Sequence, residues 1–320
     1  MTKPIRPAYS RASSYDTESF VAPRDTRALL ELTGIDHISG WMRRRWAVRR
    51  RFNPYIVGTP VFDRHLFFGR QQLALNTVRL LGSRSVTLTG ERRIGKTSFL
   101  HHLQGVLAAD QGRERRFFPV FVDLEAVAAP GFFHAVMDET IEALALSPRT
   151  RSALRFSGEH NGYRADDFAQ DLRRVVEELR QRTRVPVGLV LLIDEVDALR
   201  EHLEQTREHW LGSLLESCPR ELRLVLAGVG RGVHATLDEL VLEPLTPEEA
   251  AALVTRPVAG VFRYEAPAVE RILQLSSLRP YRIQRLCLHA VNRMLDDGRS
   301  TVRVADVGAG AFTVTERTQT

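Results

Sequence analysis

Four residues between positions 90 and 97 have the types and the spacing that could hold a chain of phosphates. Gly90, Gly95, Lys96 and Thr97 complete the pattern G-x-x-x-x-G-K-[ST]. The glycines let the backbone curl with its N–H groups pointing inward, an arrangement that binds anions at the start of a helix. The ammonium group of Lys96 would reach the β- and γ-phosphates, and the hydroxyl of Thr97 would bind Mg²⁺. A chance match to the pattern is the alternative.

The lysine of this pattern is unusual for the composition of the chain. The 320 residues include 43 arginines but only two lysines, Lys3 and Lys96. A compact ammonium fits between phosphates where a planar guanidinium does not. The composition therefore favours a phosphate-binding role over a chance match. The predicted nucleotide-binding set also includes the other residues of this stretch: Glu91, Arg92, Arg93, Ile94 and Ser98.

A pair of carboxylates follows about a hundred residues later. Asp194 and Glu195 come at the end of the apolar run "VGLVLLID". Asp194 would bind Mg²⁺, and Glu195 would act as the base that polarises an attacking water. An acidic turn with solvated charges is the alternative. The pairing with the phosphate pattern favours the catalytic reading, because open α/β sheets bind ligands at the carboxyl ends of their strands.

The elements that must position these residues alternate between strands and helices. Short apolar or β-branched runs predict strands at 85–89, 117–125, 187–194 and 222–228. Helical spacing of apolar residues follows the loop and recurs near 131–146, 165–182 and 203–217. The alternation predicts an α/β fold in which helices cover both faces of a parallel sheet.

A smaller helical region is predicted after residue 245, where the strands are expected to stop. Thr246, Pro247 and Glu249 form the start of a helix of the capping-box type. Two further helices are predicted at 266–276 and 280–296. The predicted organisation is a disordered tail (1–24), a basic helical extension and linker (25–60), a nucleotide-binding core (61–245), and a helical lid with a C-terminal tail (246–320).

The excess positive charge is confined to the beginning of the chain. The net charge is +6; residues 1–60 carry 11 basic and 5 acidic side chains, and the rest balance. Six arginines crowd into Arg43–Arg51. This segment could contact nucleic-acid phosphates or acidic groups of a protein, or be only a solvated linker. Its arginines cover most of a helix circumference, which disfavours membrane-surface binding.

Targeting and redox features predict a cytoplasmic protein. The first twenty residues have no apolar segment typical of a secretory signal, and no run of about 18 apolar residues predicts a membrane span. Cys218 and Cys287 lie in apolar, helix-like stretches, which indicates buried and reduced thiols.

Several stretches together resemble the AAA-type ATPases, and within them the STAND signal-transduction ATPases and their archaeal ATPase group. The resemblance rests on "FFGR", "GERRIGKTSFL", "LLIDEVDAL", "LEPLTPEEAAALV" and "RPYRIQRLC", and covers residues 53 to about 297. It implies ATP and Mg²⁺ as cofactors, a sheet with an extra strand between the two phosphate-site strands, and a helical lid.

The resemblance also carries roles to individual residues. Gly69 and Arg70 match a Gly-Arg box beside the nucleotide, and Tyr55 falls in a segment that lines the adenine pocket. Arg231 follows the strand end that matches the family's sensor position, where it would reach the γ-phosphate; an exposed loop arginine is the alternative. Pro280 matches a lid proline that the family usually precedes with two glycines. Here Ser277 and Leu278 stand in their place, and Arg279 is a possible lid contact instead.

Three functions follow as hypotheses. The first is an ATP-hydrolysing switch that controls regulation or assembly, forming a homo-oligomer or a complex with a partner protein in its ATP state. For this class an arginine finger in trans is expected, with Arg220 as a candidate. The second is a DNA-associated ATPase, a loader or a transposition or defence helper, that binds nucleic acid through Arg43–Arg51. The third, a non-enzymatic scaffold, is disfavoured because Lys96, Thr97, Asp194 and Glu195 are all present and a site without catalysis need not retain the base.

Overall fold

The computed structural model describes residues 53–64, 66–110, 114–125, 127, 131–156, 162–197, 210–228 and 237–308. The chain divides into two units, Met1–Pro54 and Tyr55–Thr320, and the described helices and strands belong to the second. The predicted tail, most of the predicted extension, the arginines of 43–51 and Arg231 lie outside the described residues. The predicted boundary at residue 245 falls inside the second unit and stays a prediction.

Five parallel strands form the central sheet, in the order β2-β3-β4-β1-β5. β4 lies between β1, which leads into the glycine loop (residues 90–95), and β3, which ends at the carboxylate Asp194. The extra strand that the resemblance implied is therefore present, whereas β5 was not predicted. The strands are β1 Val86–Thr89, β2 Arg116–Asp123, β3 Val187–Asp194, β4 Leu222–Ala227 and β5 Asp238–Val241.

Burial along the strands explains their order. Every residue of β1, β3 and β4 is buried, as expected of central strands covered on both faces. β5 alternates between half-buried and exposed residues and forms one edge of the sheet. The near-continuous apolar sequence of 187–193 is thus the signature of the middle of this sheet.

Helices cover both faces of the sheet, each over its own apolar core. One core contains Phe99, Leu100 and Leu103 of α2. The other contains Phe132 of α3 and Phe168 of α5. The predicted two-faced α/β architecture is confirmed. The helices up to this point are α1 Gln71–Leu81, α2 Lys96–Ala109, α3 Phe132–Leu144, α4 Pro148–Ala153, α5 Ala165–Gln181 and α6 Trp210–Ser217.

The region after β5 is mainly helical, but the expectation that strands stop at residue 245 was wrong. Its helices are α7 Pro247–Thr255, α8 Ala266–Ser276 and α9 Pro280–Asp296. Two short parallel strands, β6 Arg263–Tyr264 and β7 Thr301–Val302, pair within it. Two-residue strands are too short for a period-two pattern to reveal them in the sequence.

The predicted capping box at the start of α7 is confirmed. The Thr246 side chain accepts a hydrogen bond from the Glu249 backbone N–H at 3.2 Å, and the Glu249 carboxylate accepts one from the Thr246 N–H at 3.1 Å. Two of the N–H groups that a helix start leaves without partners are satisfied in this way. This fixes the first turn of α7 beside the end of the sheet.

Candidate nucleotide-binding site

The glycine loop joins β1 to α2. At two of its positions the backbone adopts a conformation that only glycine reaches easily. Gly90 has φ +155° and Gly95 has φ +100°. A Cβ at Gly90 would lie 2.9 Å from the carbonyl oxygen of Leu242, and one at Gly95 would lie 3.2 Å from Nη1 of Arg70. The loop therefore depends on both glycines, and it directs the first N–H groups of α2 toward the site.

Lys96 begins α2 and folds back over the loop. Its Nζ donates hydrogen bonds to the carbonyl oxygens of Gly90 at 2.9 Å and Glu91 at 3.2 Å. Burial lowers the pKa of Lys96, and the charges of Glu195 and Asp194 oppose that shift. The ammonium group is thus held within the loop, where phosphate oxygens would accept its hydrogen bonds.

Thr97 and Asp194, the predicted metal ligands, lie next to each other. The Thr97 hydroxyl donates to the Asp194 carboxylate, and Oδ1 of Asp194 also accepts the Glu195 N–H at 3.0 Å. Only 2% of Asp194 is exposed, and burial raises the pKa of its carboxyl despite these two hydrogen bonds. A hydroxyl and a buried carboxylate are oxygen ligands of the kind that Mg²⁺ prefers.

Glu195 directly follows β3 in a left-handed backbone conformation, with φ +54°. The next N–H, that of Val196, donates to the carbonyl oxygen of Ala227 at 3.1 Å, which holds the turn against β4. Partial desolvation, and then the charge of Asp194, raises the pKa of the Glu195 carboxyl. A raised pKa suits a general base, because proton transfer is most efficient when the pKa approaches the operating pH.

Asp123 is a third carboxylate at this edge that the sequence analysis missed. It ends β2 and pairs in register with Asp194 on β3. Its charge contributes to the raised pKa of Asp194, and its Oδ1 accepts the Glu125 N–H at 3.0 Å. The sequence signal was an aspartate two residues before the end of the predicted strand 117–125, without the second acidic residue directly after it that marked Asp194.

The Gly-Arg box lies against the loop. A Cβ at Gly69 would lie 2.8 Å from Cδ of Glu249, so the backbone approaches that carboxylate closely. The Arg70 N–H donates to Glu249 at 2.8 Å, and the Arg70 guanidinium donates to the Glu243 carbonyl at 2.8 Å. Burial lowers the pKa of Arg70 to about 10, against the charge of Glu249. Glu249 therefore joins the box to the cap of α7, a second role that its sequence pattern did not reveal.

The loop is also joined to α9 by two side-chain pairs. The Glu91 carboxylate accepts two hydrogen bonds from the Arg279 guanidinium, at 2.8 and 2.9 Å. The Arg93 guanidinium donates to the Tyr281 hydroxyl at 3.0 Å, and its Cζ lies 4.6 Å from the centre of that ring. Pro280, between the two lid residues, begins α9. Arg279 thus contacts the glycine loop through Glu91, while its contact with a nucleotide stays a prediction; Tyr281 was not predicted.

The turn before these lid residues has the backbone that the family's two glycines would favour. Ser277 has φ +49° and Leu278 has φ +60°. The Leu278 carbonyl accepts the Leu245 N–H at 3.0 Å, which ties the turn to the end of the sheet region. Replacing the glycines therefore keeps the turn but places strain in it, because side chains rarely adopt this conformation.

The remaining predicted site residues have structural partners of their own. The Tyr55 hydroxyl donates to the Val254 carbonyl, and the residue is 1% exposed. Ile94 is part of the core under α2, and Ser98 Oγ accepts the Val61 N–H at 3.0 Å. Arg92 is exposed. Direct contacts of these four residues with a nucleotide stay predictions.

The sheet order and this loop define a P-loop nucleoside triphosphatase of the AAA type. A model of the family described as Novel STAND NTPase 1 matches residues 61–286, and the chain belongs to that family. Among curated proteins, none matches the sequence significantly.

One solved structure shares the fold with a TM-score above 0.5, and two others are similar with lower scores. Drosophila ORC bound to DNA is 15% identical, with a TM-score of 0.57, over 93% of this chain and 68% of that chain. Cdc6p from Pyrobaculum aerophilum is 19% identical, with a TM-score of 0.48, over 76% and 66%. The Thermotoga maritima RuvB Holliday junction branch migration motor is 15% identical, with a TM-score of 0.43, over 76% and 71%.

Two predictions made outside the site can also be compared with the structure. Cys218 and Cys287 are both buried and unbridged, as predicted. None of the helices in the described ranges has the length and apolarity that crossing a bilayer requires.

Proposed function

We propose that this protein is an ATP-binding and ATP-hydrolysing switch, in which the nucleotide controls the position of the lid and, through it, self-assembly or binding to a partner protein. The observation that carries the proposal is the pair of contacts between the glycine loop and α9, Glu91–Arg279 and Arg93–Tyr281. Glu91 and Arg93 belong to the loop that would hold the phosphates, so these two contacts give a change of nucleotide a direct path to α9.

The chemistry follows from the positions of three groups. Lys96 and the N–H groups of the loop bind the phosphates, and Thr97 with Asp194 binds Mg²⁺. The metal ion neutralises charge that develops on the phosphates during transfer. Glu195 follows the buried strand at the same edge and takes a proton from the attacking water. Arg231, from outside the described residues, is the proposed γ-phosphate contact.

The lid would respond because Arg279 has two possible anionic partners. In this structure its guanidinium forms a bidentate pair with Glu91, whose side chain is 59% exposed. Phosphates bound in the loop bring a denser negative charge close to the same guanidinium. An exposed pair is weak enough for such competition to break it. Turning Arg279 from Glu91 to phosphate would reorient the start of α9, and the strained Ser277–Leu278 turn is the adjacent point of flexure.

The experiment measures assembly as a function of nucleotide. Light scattering on the full chain should show one mass with ADP or without nucleotide. With Mg²⁺ and a non-hydrolysable ATP analogue the mass should increase, either for the chain alone or when its partner protein is added. Glu91→Gln weakens the Arg279 pair and should lower the analogue concentration needed for the change. Lys96→Ala is the control and should show no change at any micromolar concentration. The switch would be ruled out if neither the mass nor the cleavage of the lid by proteases changed between the nucleotide states.

A second candidate is a DNA-associated ATPase, because the whole charge excess of the chain lies in residues 1–60. Replacing the six arginines of 43–51 with glutamine should then abolish binding to duplex or single strands while the ATPase rate stays the same. Equal anisotropy titrations for the variant and the wild type would exclude a role of this segment in nucleic-acid binding.

A further inference from the structure

The amino edge of the sheet, opposite the nucleotide site, carries a cleft of about 440 Å³. It lies where β2, β3 and β4 begin, and its lining includes Arg115, Arg180, Arg184 and Arg220 with one carboxylate, Glu221. β3 spans eight residues, so at about 3.3 Å per residue the cleft is roughly 23 Å from Asp194. It is therefore separate from the phosphate loop.

Most of the positive charge in this cleft is not neutralised by the protein. The single carboxylate, Glu221, accepts a hydrogen bond from Arg180 at 2.5 Å, and Arg180 also pairs with Glu177. Within the described ranges, no carboxylate pairs with Arg115, Arg184 or Arg220. Three guanidinium groups thus remain available to an anion.

One of these guanidinium groups is already fixed in place. Nη1 of Arg115 donates to the carbonyl oxygens of Val187 and Arg220, each at 3.0 Å. Its other nitrogens carry further donors, and holding a guanidinium in advance reduces the entropy lost on binding. The charge of Arg115 also reaches Arg223, whose pKa is lowered first by burial and then by Arg115.

A second cleft continues the basic surface along the same edge. It has a volume of about 430 Å³ and lies where β4, β1 and β5 begin. Its lining contains Arg223, together with Arg84, which is paired with Asp238 of the same lining at 3.0 Å. Arg223 is 8% exposed, and its buried Nε has no hydrogen-bond partner. Five strands about 4.8 Å apart make an edge roughly 19 Å long. The balanced charge of residues 61–320 therefore hides an uneven distribution.

We propose that this amino edge binds the phosphate backbone of duplex nucleic acid through Arg115, Arg184 and Arg220, with the buried charge of Arg223 beneath the same surface. Each strand of a duplex carries a phosphate about every 3.4 Å of its axis, so an edge of this length faces about five of them. Arginine's planar fork matches phosphate oxygens. The first cleft has no aromatic lining on which unpaired bases could stack. Contacts of this kind position a duplex without reading its sequence.

The lining also argues against an acidic protein segment. Besides the charged groups, the first cleft offers Thr183, Val185, Pro186 and Val187, of which Val187 is buried. Protein interfaces instead place aromatic and other large apolar anchors in pockets. A surface of guanidinium groups with few apolar neighbours suits an occupant whose contact groups are all phosphates.

The test is an anisotropy titration of labelled 20-base-pair duplexes of two unrelated sequences, with the full chain and no nucleotide. The cleft variant is Arg184→Gln/Arg220→Gln, because both side chains are exposed. The control, Arg256→Gln/Arg271→Gln, removes the same charge from exposed lid positions. Both variants are made in two parents, the wild type and the chain in which the six arginines of 43–51 are replaced with glutamine. Thermal melts confirm folding, and Arg184→Glu serves as a second cleft variant.

The cleft variant should bind both duplexes at least tenfold more weakly at 0.1 M salt. Its plot of log K against log salt should become shallower by about 2, because two phosphate contacts are lost. Arg184→Glu should weaken binding further, and the control should match its parent. Equal affinity and slope for cleft variant and control would overturn the proposal. It would also fail if tripolyphosphate or polyglutamate bound in a cleft-dependent way while the duplex did not. Because no nucleotide is present, failure of the ATP switch would leave these outcomes unchanged.

Discussion

Two aspartates of this protein are almost equally buried, yet their pKa values move in opposite directions. Asp194, at the candidate nucleotide site, is 2% exposed, and Asp306, in the helical region after β5, is 4% exposed. Burial raises the pKa of Asp194 above the ordinary value. Burial acts the same way on Asp306, but hydrogen bonds from Arg299 and the Arg303 N–H bring its pKa below that value.

Part of the difference is the stronger desolvation of Asp194, and part is the set of donors that the fold supplies to each carboxylate. Asp306 accepts hydrogen bonds from the Arg299 guanidinium at 2.6 and 2.9 Å and from the Arg303 N–H at 2.7 Å. Asp194 accepts from a hydroxyl and one N–H, and another carboxylate, Asp123, adds repulsion. A satisfied buried carboxylate stabilises the fold, whereas one left short of positive charge is suited to bind a cation.

The largest expected effect concerns Glu195, whose carboxyl has a raised pKa like that of Asp194. Glu195→Gln should lower the rate of single-turnover ATP hydrolysis on the order of a hundredfold or more, because an amide cannot accept the proton from water. ATP affinity should stay within about twofold, since Asp194 and Lys96 remain. A rapid-quench assay and a titration with a fluorescent nucleotide measure the two quantities. Glu270→Gln, which changes an exposed carboxylate of α8, is the control and should hydrolyse at the wild-type rate. An unchanged rate for Glu195→Gln would place the base elsewhere.

Much of this site could be predicted from the sequence because its chemistry is local. The loop pattern and the acidic end of "VGLVLLID" depend on short spacings, and the structure brings Lys96, Thr97, Asp194 and Glu195 to one edge. β3, α8 and α9 have the predicted bounds. Their apolar patterns are strong, and capping residues or flanking turns mark their ends.

The contacts that the sequence did not reveal connect distant parts of the chain. Glu91 and Arg279 are 188 positions apart, as are Arg93 and Tyr281. Nothing in either local pattern indicates which arginine of an arginine-rich chain will meet which partner. The basic amino edge was missed for a related reason, because a count of charges cannot show that a fold gathers them on one side. β5 is short and half exposed, so its pattern was too weak to predict a strand.

A smaller effect is expected when the satisfied aspartate loses its donor. Arg299→Gln should lower the free energy of unfolding by about 2 kcal/mol at pH 7, because Asp306 would stay buried with a poorer partner. Asp297→Asn is the control; it removes only the partner of Arg299 that is 64% exposed and should cost much less. Urea denaturation of both variants measures the difference. Equal losses would mean that Asp306 is not the important partner.

The pH dependence of this loss follows from the lowered pKa of Asp306. A depressed pKa in the folded state adds stability above the unfolded aspartate pKa of about 3.9, and this stability disappears as the pH falls through the folded value. Wild type and Arg299→Gln should therefore differ at pH 7 and converge in acid. A constant difference down to the lowest pH at which the chain stays folded would contradict the assignment.

The smallest effect is a gain in stability at the nucleotide site. Asp194→Asn removes a buried carboxyl whose pKa is raised in the folded state. The wild type therefore loses stability as the pH rises from the pKa of an unfolded aspartate to that of the folded Asp194. Above the folded pKa, its free energy of unfolding stays at this lower value. With EDTA and no nucleotide, the variant should melt slightly above the wild type at pH 7, and the gain should vanish below about pH 4. Asp123→Asn, at the exposed neighbouring carboxylate, is the control and should show less of this gain. Adding Mg²⁺ and an ATP analogue should reverse the order, because binding stabilises only the chain that can hold the metal. A variant that melts below the wild type in EDTA at pH 7 would show that Asp194 stabilises the fold as Asp306 does, and the contrast between the two aspartates would be lost.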